Sequence, residues 1–74
     1  MELDQFVAED LNNRFTYHAP KEGQPVKYEY LRSMALYFAR NIIRHTPHSR
    51  EQALALTHIE EAVFWANAAI ARHE

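Results

Sequence analysis

A chain of 74 residues, with 47% apolar and 24% charged side chains, makes one globular domain over residues 1–74 and excludes both a disordered chain and a multidomain one. One Gly and three Pro are too few for an all-β protein rich in hairpins, and the absence of Cys excludes a disulfide framework and a thiolate metal site. A net charge of −2 argues against a dedicated duplex-DNA binder, no apolar run approaches the ~20 residues of a membrane span, and the acidic start Met1-Glu2-Leu3-Asp4 lacks the basic region of a signal peptide, so a soluble cytosolic protein is expected.

The elements read as all-α. A short amphipathic helix is expected over residues 2–13, where Leu3, Phe6, Val7 and Leu11 recur at helical spacing among Glu2, Asp4, Glu9 and Asp10, and Asn12-Asn13 is the expected stop. Residues 14–25 read as a loop. Phe15-Thr16-Tyr17 is extended in character, Pro20 disfavours helix at Ala19, and Lys21-Glu22-Gly23-Gln24-Pro25 is turn chemistry. A second helix is expected over residues 25–45, with Leu31, Met34, Ala35, Phe38, Ile42 and Ile43 on one stripe. Thr46-Pro47-His48 breaks it. Ser49 and Gln52 then form a capping box that opens a third helix over residues 50–72, striped by Leu56, Ile59, Val63, Ala66 and Ile70. The short connection makes the two long helices antiparallel neighbours.

Two arguments point to a homo-oligomer. A core from so short a chain rarely gives more than ~3–5 kcal/mol of net stability, and no disulfide adds to it. The third helix is also apolar around much of its circumference, since Leu54, Phe64, Trp65 and Ala69 lie off its main stripe, and one partner helix cannot cover all of them.

Catalysis and metal binding find little support. His45 and His48 are separated by Pro47, so they share no helical face, and His58 with Glu61 is a lone i, i+3 pair. Glu60 and Glu61 are adjacent on a helix and point ~100° apart, so they do not converge as an acid–base pair, and no nucleophile–base–orienter set is present. The expectation is no metal, no cofactor and no enzymatic activity. The richer signal is the cluster of Arg14, Phe15, Tyr17, Lys21, Lys27, Tyr28, Tyr30 and Arg32, because aromatic planes stack on bases and Arg or Lys neutralises phosphate. In a net acidic protein such a local site fits a small nucleotide better than a long polyanion.

The loop Arg14-Phe15-Thr16-Tyr17-His18-Ala19-Pro20, then Gln24-Pro25, Tyr28 and Leu31-Arg32, forms one half of a recognisable pattern. The run Pro47 to Thr57, followed by Glu60-Glu61-Ala62-Val63 and Trp65 to Arg72, forms the other. Together they resemble the helical-hairpin domain of phage anti-CBASS sponge proteins, a domain shared with a class of Thoeris-inhibiting sponges. The resemblance implies a non-enzymatic protein that sequesters cyclic oligonucleotide messengers intact, assembled as a homohexamer with cyclic dinucleotides (3′,3′-cGAMP-like) in pockets between subunits. It further implies that Tyr17 stacks on base or ribose, that Arg32 contacts phosphate with Lys27 as the alternative cation, and that Phe15 and Leu31 line the pocket. Arg72 matches a position of the separate cyclic-trinucleotide pocket, although the small residue expected after it is His73 here. The rival reading is a helical adaptor that binds a host defence protein through its Ala-rich face.

Overall fold

The structure, a computed structural model, describes residues 4–74. Three helices follow in chain order: α1 (Gln5–Arg14), α2 (Gln24–His45) and α3 (Arg50–His73). No residue among those described is in a strand.

Residues 2–3 of the expected first helix lie outside the described residues. Asp4 caps α1, its carboxylate accepting from Val7 N at 2.9 Å. Asn12 and Asn13 do not stop the helix. An Arg14–Asp10 pair at 3.0 Å and the Phe15 N–H, which donates to Leu11 O at 3.0 Å, carry it one residue further. A cation in the last turn also suits the helix dipole.

α2 begins at Gln24, one residue before the expected Pro25, which occupies the helical first turn where its missing N–H costs nothing. Gly23 precedes it at φ 86°. A Cβ there would meet nothing within 4 Å, so backbone conformation and not space demands glycine. α3 is capped by Ser49, whose hydroxyl accepts from Gln52 N at 3.1 Å. The capping box closes differently from expectation. The Gln52 amide does not return to its own cap; Nε2 donates to Thr46 O at 3.1 Å and to Thr46 Oγ1 at 3.0 Å. Thr46 itself is extended, as a residue before Pro must be, which turns its carbonyl toward α3.

The four-residue connection makes α2 and α3 an antiparallel hairpin. Its seam is built from half-buried Tyr28, Leu31, Ala35, Ala39 and Ile42 on one side and Leu56, Ile59, Val63, Ala66 and Ile70 on the other. The spacings of three and four keep each set on one helical face. The open end is held by Gln24, the sole buried residue among those described, at 4% exposure. Its Oε1 accepts from Lys21 N at 2.9 Å and its Nε2 donates to Ile70 O at 3.3 Å.

The molecule is a plate of 52 × 34 × 14 Å with a radius of gyration of 16.7 Å, where a compact chain of this length has about 11 Å. α2 packs on α3, and α1 lies against the hairpin sparsely. No apolar side chain among the described residues is fully buried, and Phe6, Met34, Leu36, Tyr37, Phe38, Ile43, Phe64 and Trp65 are exposed. Half of the expected α2 stripe is therefore uncovered: Met34 and Phe38 line an open groove along the hairpin with Ala55, Ile59, Ala62 and Val63.

The two glutamines provide an internal comparison. Gln24→Ala strips a buried amide that serves two main-chain groups, a loss of about 1–3 kcal/mol. Thermal unfolding at one fixed protein concentration is expected to show a clear drop in Tm, larger than for Gln52→Ala, whose bonds are exposed. Equal effects would show that Gln24 is not the clamp of the open end.

Candidate functional site

The loop between α1 and α2 is folded back by His18, whose Nε2 lies 2.7 Å from Asn13 O. A carbonyl only accepts, so the Nε2 proton is on the side facing it. This contact, with the Lys21–Gln24 turn, seats the loop beside the end of α3.

An open concavity of about 550 Å³ results. The loop contributes Tyr17 and His18, α1 contributes Arg14, α2 contributes Tyr28 and Arg32, and α3 contributes Asn67 and Arg72. Three of the six arginines of the chain thus line one surface of a net acidic protein. Arg14 is paired with Asp10, whereas no carboxylate of the described residues is within ion-pair distance of Arg32 or Arg72, including Glu29 one turn before Arg32. Tyr17 stands 84% exposed at the rim. Guanidinium groups bind phosphate oxygens bidentately and an accessible phenol ring offers a stacking plane, so this surface suits a phosphorylated nucleoside.

The other residues of the expected site lie elsewhere on the same chain. Phe15, 81% exposed, lines a neighbouring depression of about 370 Å³ with Asp10, Asn13, Trp65 and His73. Arg14 and Arg72 form the wall common to both hollows. Trp65, expected as a core or interface anchor, is 68% exposed here. Lys27 and Leu31 line a third, apolar hollow with Val26, Tyr30 and Ile70. Lys27 and Arg32 are five residues apart on α2, which rotates them ~140° from one another, so one protomer cannot aim both at one point. Lys27 Nζ instead meets Glu74 Oε1 at 2.6 Å.

Asn67 was not among the expected site residues. Its Oδ1 is buried at the concavity wall without a hydrogen-bond partner. A buried unpaired acceptor is costly, so this oxygen is a ready acceptor for a donor that enters the concavity. The sequence signal was an Asn inside a long helix beside the apolar seam positions Val63, Ala66 and Ile70, where Asn has no propensity reason to be.

Among the described residues no three His, Asp or Glu side chains converge as a metal site, and His58 Nδ1 stands 3.8 Å from Glu61 Oε2 as a lone pair. No described helix is long and apolar enough to cross a membrane.

The sequence model of one family, described as Acb2/Tad1, hairpin domain, matches residues 8–71. No curated protein and no solved structure matches the chain. The family match spans the end of α1, the loop, the whole α2 and nearly all of α3, so it takes in every element that lines the arginine-rich concavity. Family members are phage sponges for cyclic oligonucleotide signals, a binding activity and not a catalytic one. The chain belongs to the Acb2/Tad1 hairpin-domain family.

Proposed function

We propose that this chain is a non-enzymatic immune-evasion protein that acts in the host cytosol, holds cyclic dinucleotides of the 3′,3′-cGAMP type, and so keeps CBASS effectors unswitched. The observation that carries this reading is the concavity that combines Tyr17 and Tyr28 with Arg14, Arg32 and Arg72. A cyclic dinucleotide has two bases and two phosphates, and these residues are the complementary set: rings for the bases, guanidiniums for the phosphates. Tyr17 stacks and Arg32 takes phosphate. Arg72, on the wall common to both hollows, is the candidate contact for a larger cyclic trinucleotide, and Phe15 remains a candidate apolar contact of the cyclic-dinucleotide site, from the neighbouring hollow.

We infer a homo-oligomer, a hexamer as in the resemblance drawn above. The accessible area of 6404 Å² exceeds the roughly 4700 Å² of a compact monomer of this mass. A standard interface removes about 800 Å² per partner and an obligate one about 1000–2500 Å², so an excess of this size is what association with other copies would remove. The excess supports burial against other copies, and the hexamer itself rests on the resemblance. Assembly also gives Lys27 and Leu31, which face away from Arg32 in one protomer, a route to a ligand held by a neighbouring copy.

Native mass spectrometry of the protein, alone and with cyclic di- and trinucleotides, tests both parts. The expected outcome is a hexamer that gains whole ligands, released unaltered on heating. Release of cleaved ligand would replace the sponge with an enzyme, and a multimer that takes none of the panel would favour the adaptor.

Substitutions separate the ligand surface from the assembly. Tyr17→Ala and Arg32→Ala each remove one stacking or charge-assisted contact, expected to weaken binding by about 10- to 100-fold, since such contacts are worth roughly 1–3 kcal/mol. Titration calorimetry reads the affinity and native mass spectrometry the oligomer, which should persist because neither side chain lies in the apolar groove along the hairpin. Unchanged affinity in both variants would remove this concavity as the site.

A further inference from the structure

The chain contains two lysines, Lys21 and Lys27, and both end on the same residue. Lys27 Nζ contacts Glu74 Oε1 at 2.6 Å, and Lys21 Nζ donates to the Glu74 main-chain oxygen at 2.7 Å. The Lys27–Glu74 pair is not built like a structural ion pair. The two side chains are 53% and 43% exposed, and a pair in that setting contributes little to stability. Nor does the hairpin need it for registry. The start of α2 is tied to the end of α3 by Gln24, through Lys21 N and Ile70 O, independently of the Glu74 carboxylate.

What the carboxylate does is occupy a cation. Lys27 stands at the edge of an apolar hollow of about 350 Å³ formed by Val26, Tyr30, Leu31 and Ile70, with the Tyr30 ring exposed beside it. An ammonium, an accessible aromatic ring and an apolar floor are what a nucleotide phosphate and its base require, yet the ammonium is already held by an internal anion. We propose that Glu74 is a built-in competitor for ligand phosphate at Lys27: a carboxylate latch that leaves the ammonium before a phosphodiester can take it, and so sets the affinity of the site. The inference rests on Lys27 as a cation of the cyclic-dinucleotide site proposed above.

The sign follows from electrostatics. Glu74 acts against a phosphate twice, by holding the ammonium that the phosphate needs and by repelling the phosphate as a like charge. Replacing the carboxylate with an amide of the same shape removes both effects. Binding therefore tightens. The competition part of the gain must depend on Lys27, because that ammonium is what the latch holds.

Calorimetric titration of the full chain with 3′,3′-cyclic GMP–AMP tests this with a double-mutant cycle of Glu74→Gln and Lys27→Met. The expected result is that Glu74→Gln tightens binding about 3- to 10-fold, that Lys27→Met weakens it, and that the gain from Glu74→Gln shrinks in the Lys27→Met background to the like-charge part alone. Binding by Glu74→Gln alone, with none by the unsubstituted chain, supports the latch in its strongest form. Binding that Glu74→Gln leaves unchanged or weakens overturns the latch, as does a gain of undiminished size without Lys27, which would mark charge repulsion alone and not competition. Binding by none of the four proteins overturns the proposed function itself, an outcome distinct from failure of the latch. Helical circular dichroism and the melting temperature of each variant confirm that the hairpin is retained.

Discussion

The constraint on which the structure depends is that its own chain cannot cover its apolar surface. α2 and α3 make one layer, 14 Å through, and a layer has two faces. The seam half-buries Leu31, Ala35, Leu56, Ile59 and Val63, while Met34, Phe38 and Phe64 remain in contact with water. Each of these half-exposed side chains forgoes part of the roughly 1.5–3 kcal/mol that full burial gives. A hairpin under that constraint cannot be held in register by a conventional core. It must be held by directional bonds at its ends, with the apolar faces left to whatever covers them.

Those directional bonds are made by few residues. At the connected end Gln52 reaches Thr46 twice while Ser49 caps α3. At the open end Gln24 joins the Lys21 turn to the Ile70 carbonyl. Gly23 supplies the left-handed residue that turns the chain into α2 just before this clamp. Because Gln24 fixes where the loop lands, it also fixes where Tyr17 and His18 meet the end of α3. The geometry of the arginine-rich concavity thus comes from a backbone clamp that touches none of its arginines.

Much of this was legible in the residues. Alternating spacings of three and four on Leu56, Ile59, Val63, Ala66 and Ile70 marked the seam, and Pro47 with Ser49 marked the turn. The all-helical class followed from composition and period together. The grouping of site residues was less legible, for two physical reasons. Phe15 and Tyr17 would point the same way in an extended segment, but Phe15 is the C-cap of α1 at φ −113°, ψ 20°, and the two rings line different hollows. Lys27 and Arg32 looked interchangeable as cations, although five helical residues place them on different sides of α2. The contacts of Asn67 and Glu74 depend on hairpin register, and the Lys27–Glu74 pair joins residues 47 apart in sequence. Local pattern carries no information at that range.

The placement of charge ties these points together. The protein is net acidic, which keeps it from binding long polyanions indiscriminately. Within that background the cations are distributed by type. Three arginines surround Tyr17, where rigid planar forks can grip phosphate oxygens in pairs, and both lysines sit at the Glu74 end as compact, exchangeable point charges. A protein that only holds its ligand needs no proton transfer and no nucleophile. It needs strong, geometrically fixed contacts in one place and contacts that yield easily in another, so that a small ring can enter and stay. On the reading proposed above, Arg32, which has no carboxylate partner among the described residues, and Lys27, already engaged by Glu74, are the two halves of that requirement, ~140° apart around α2. A ligand that uses both halves must meet two copies of the chain, and the uncovered apolar faces of the hairpin are what would bring those copies together.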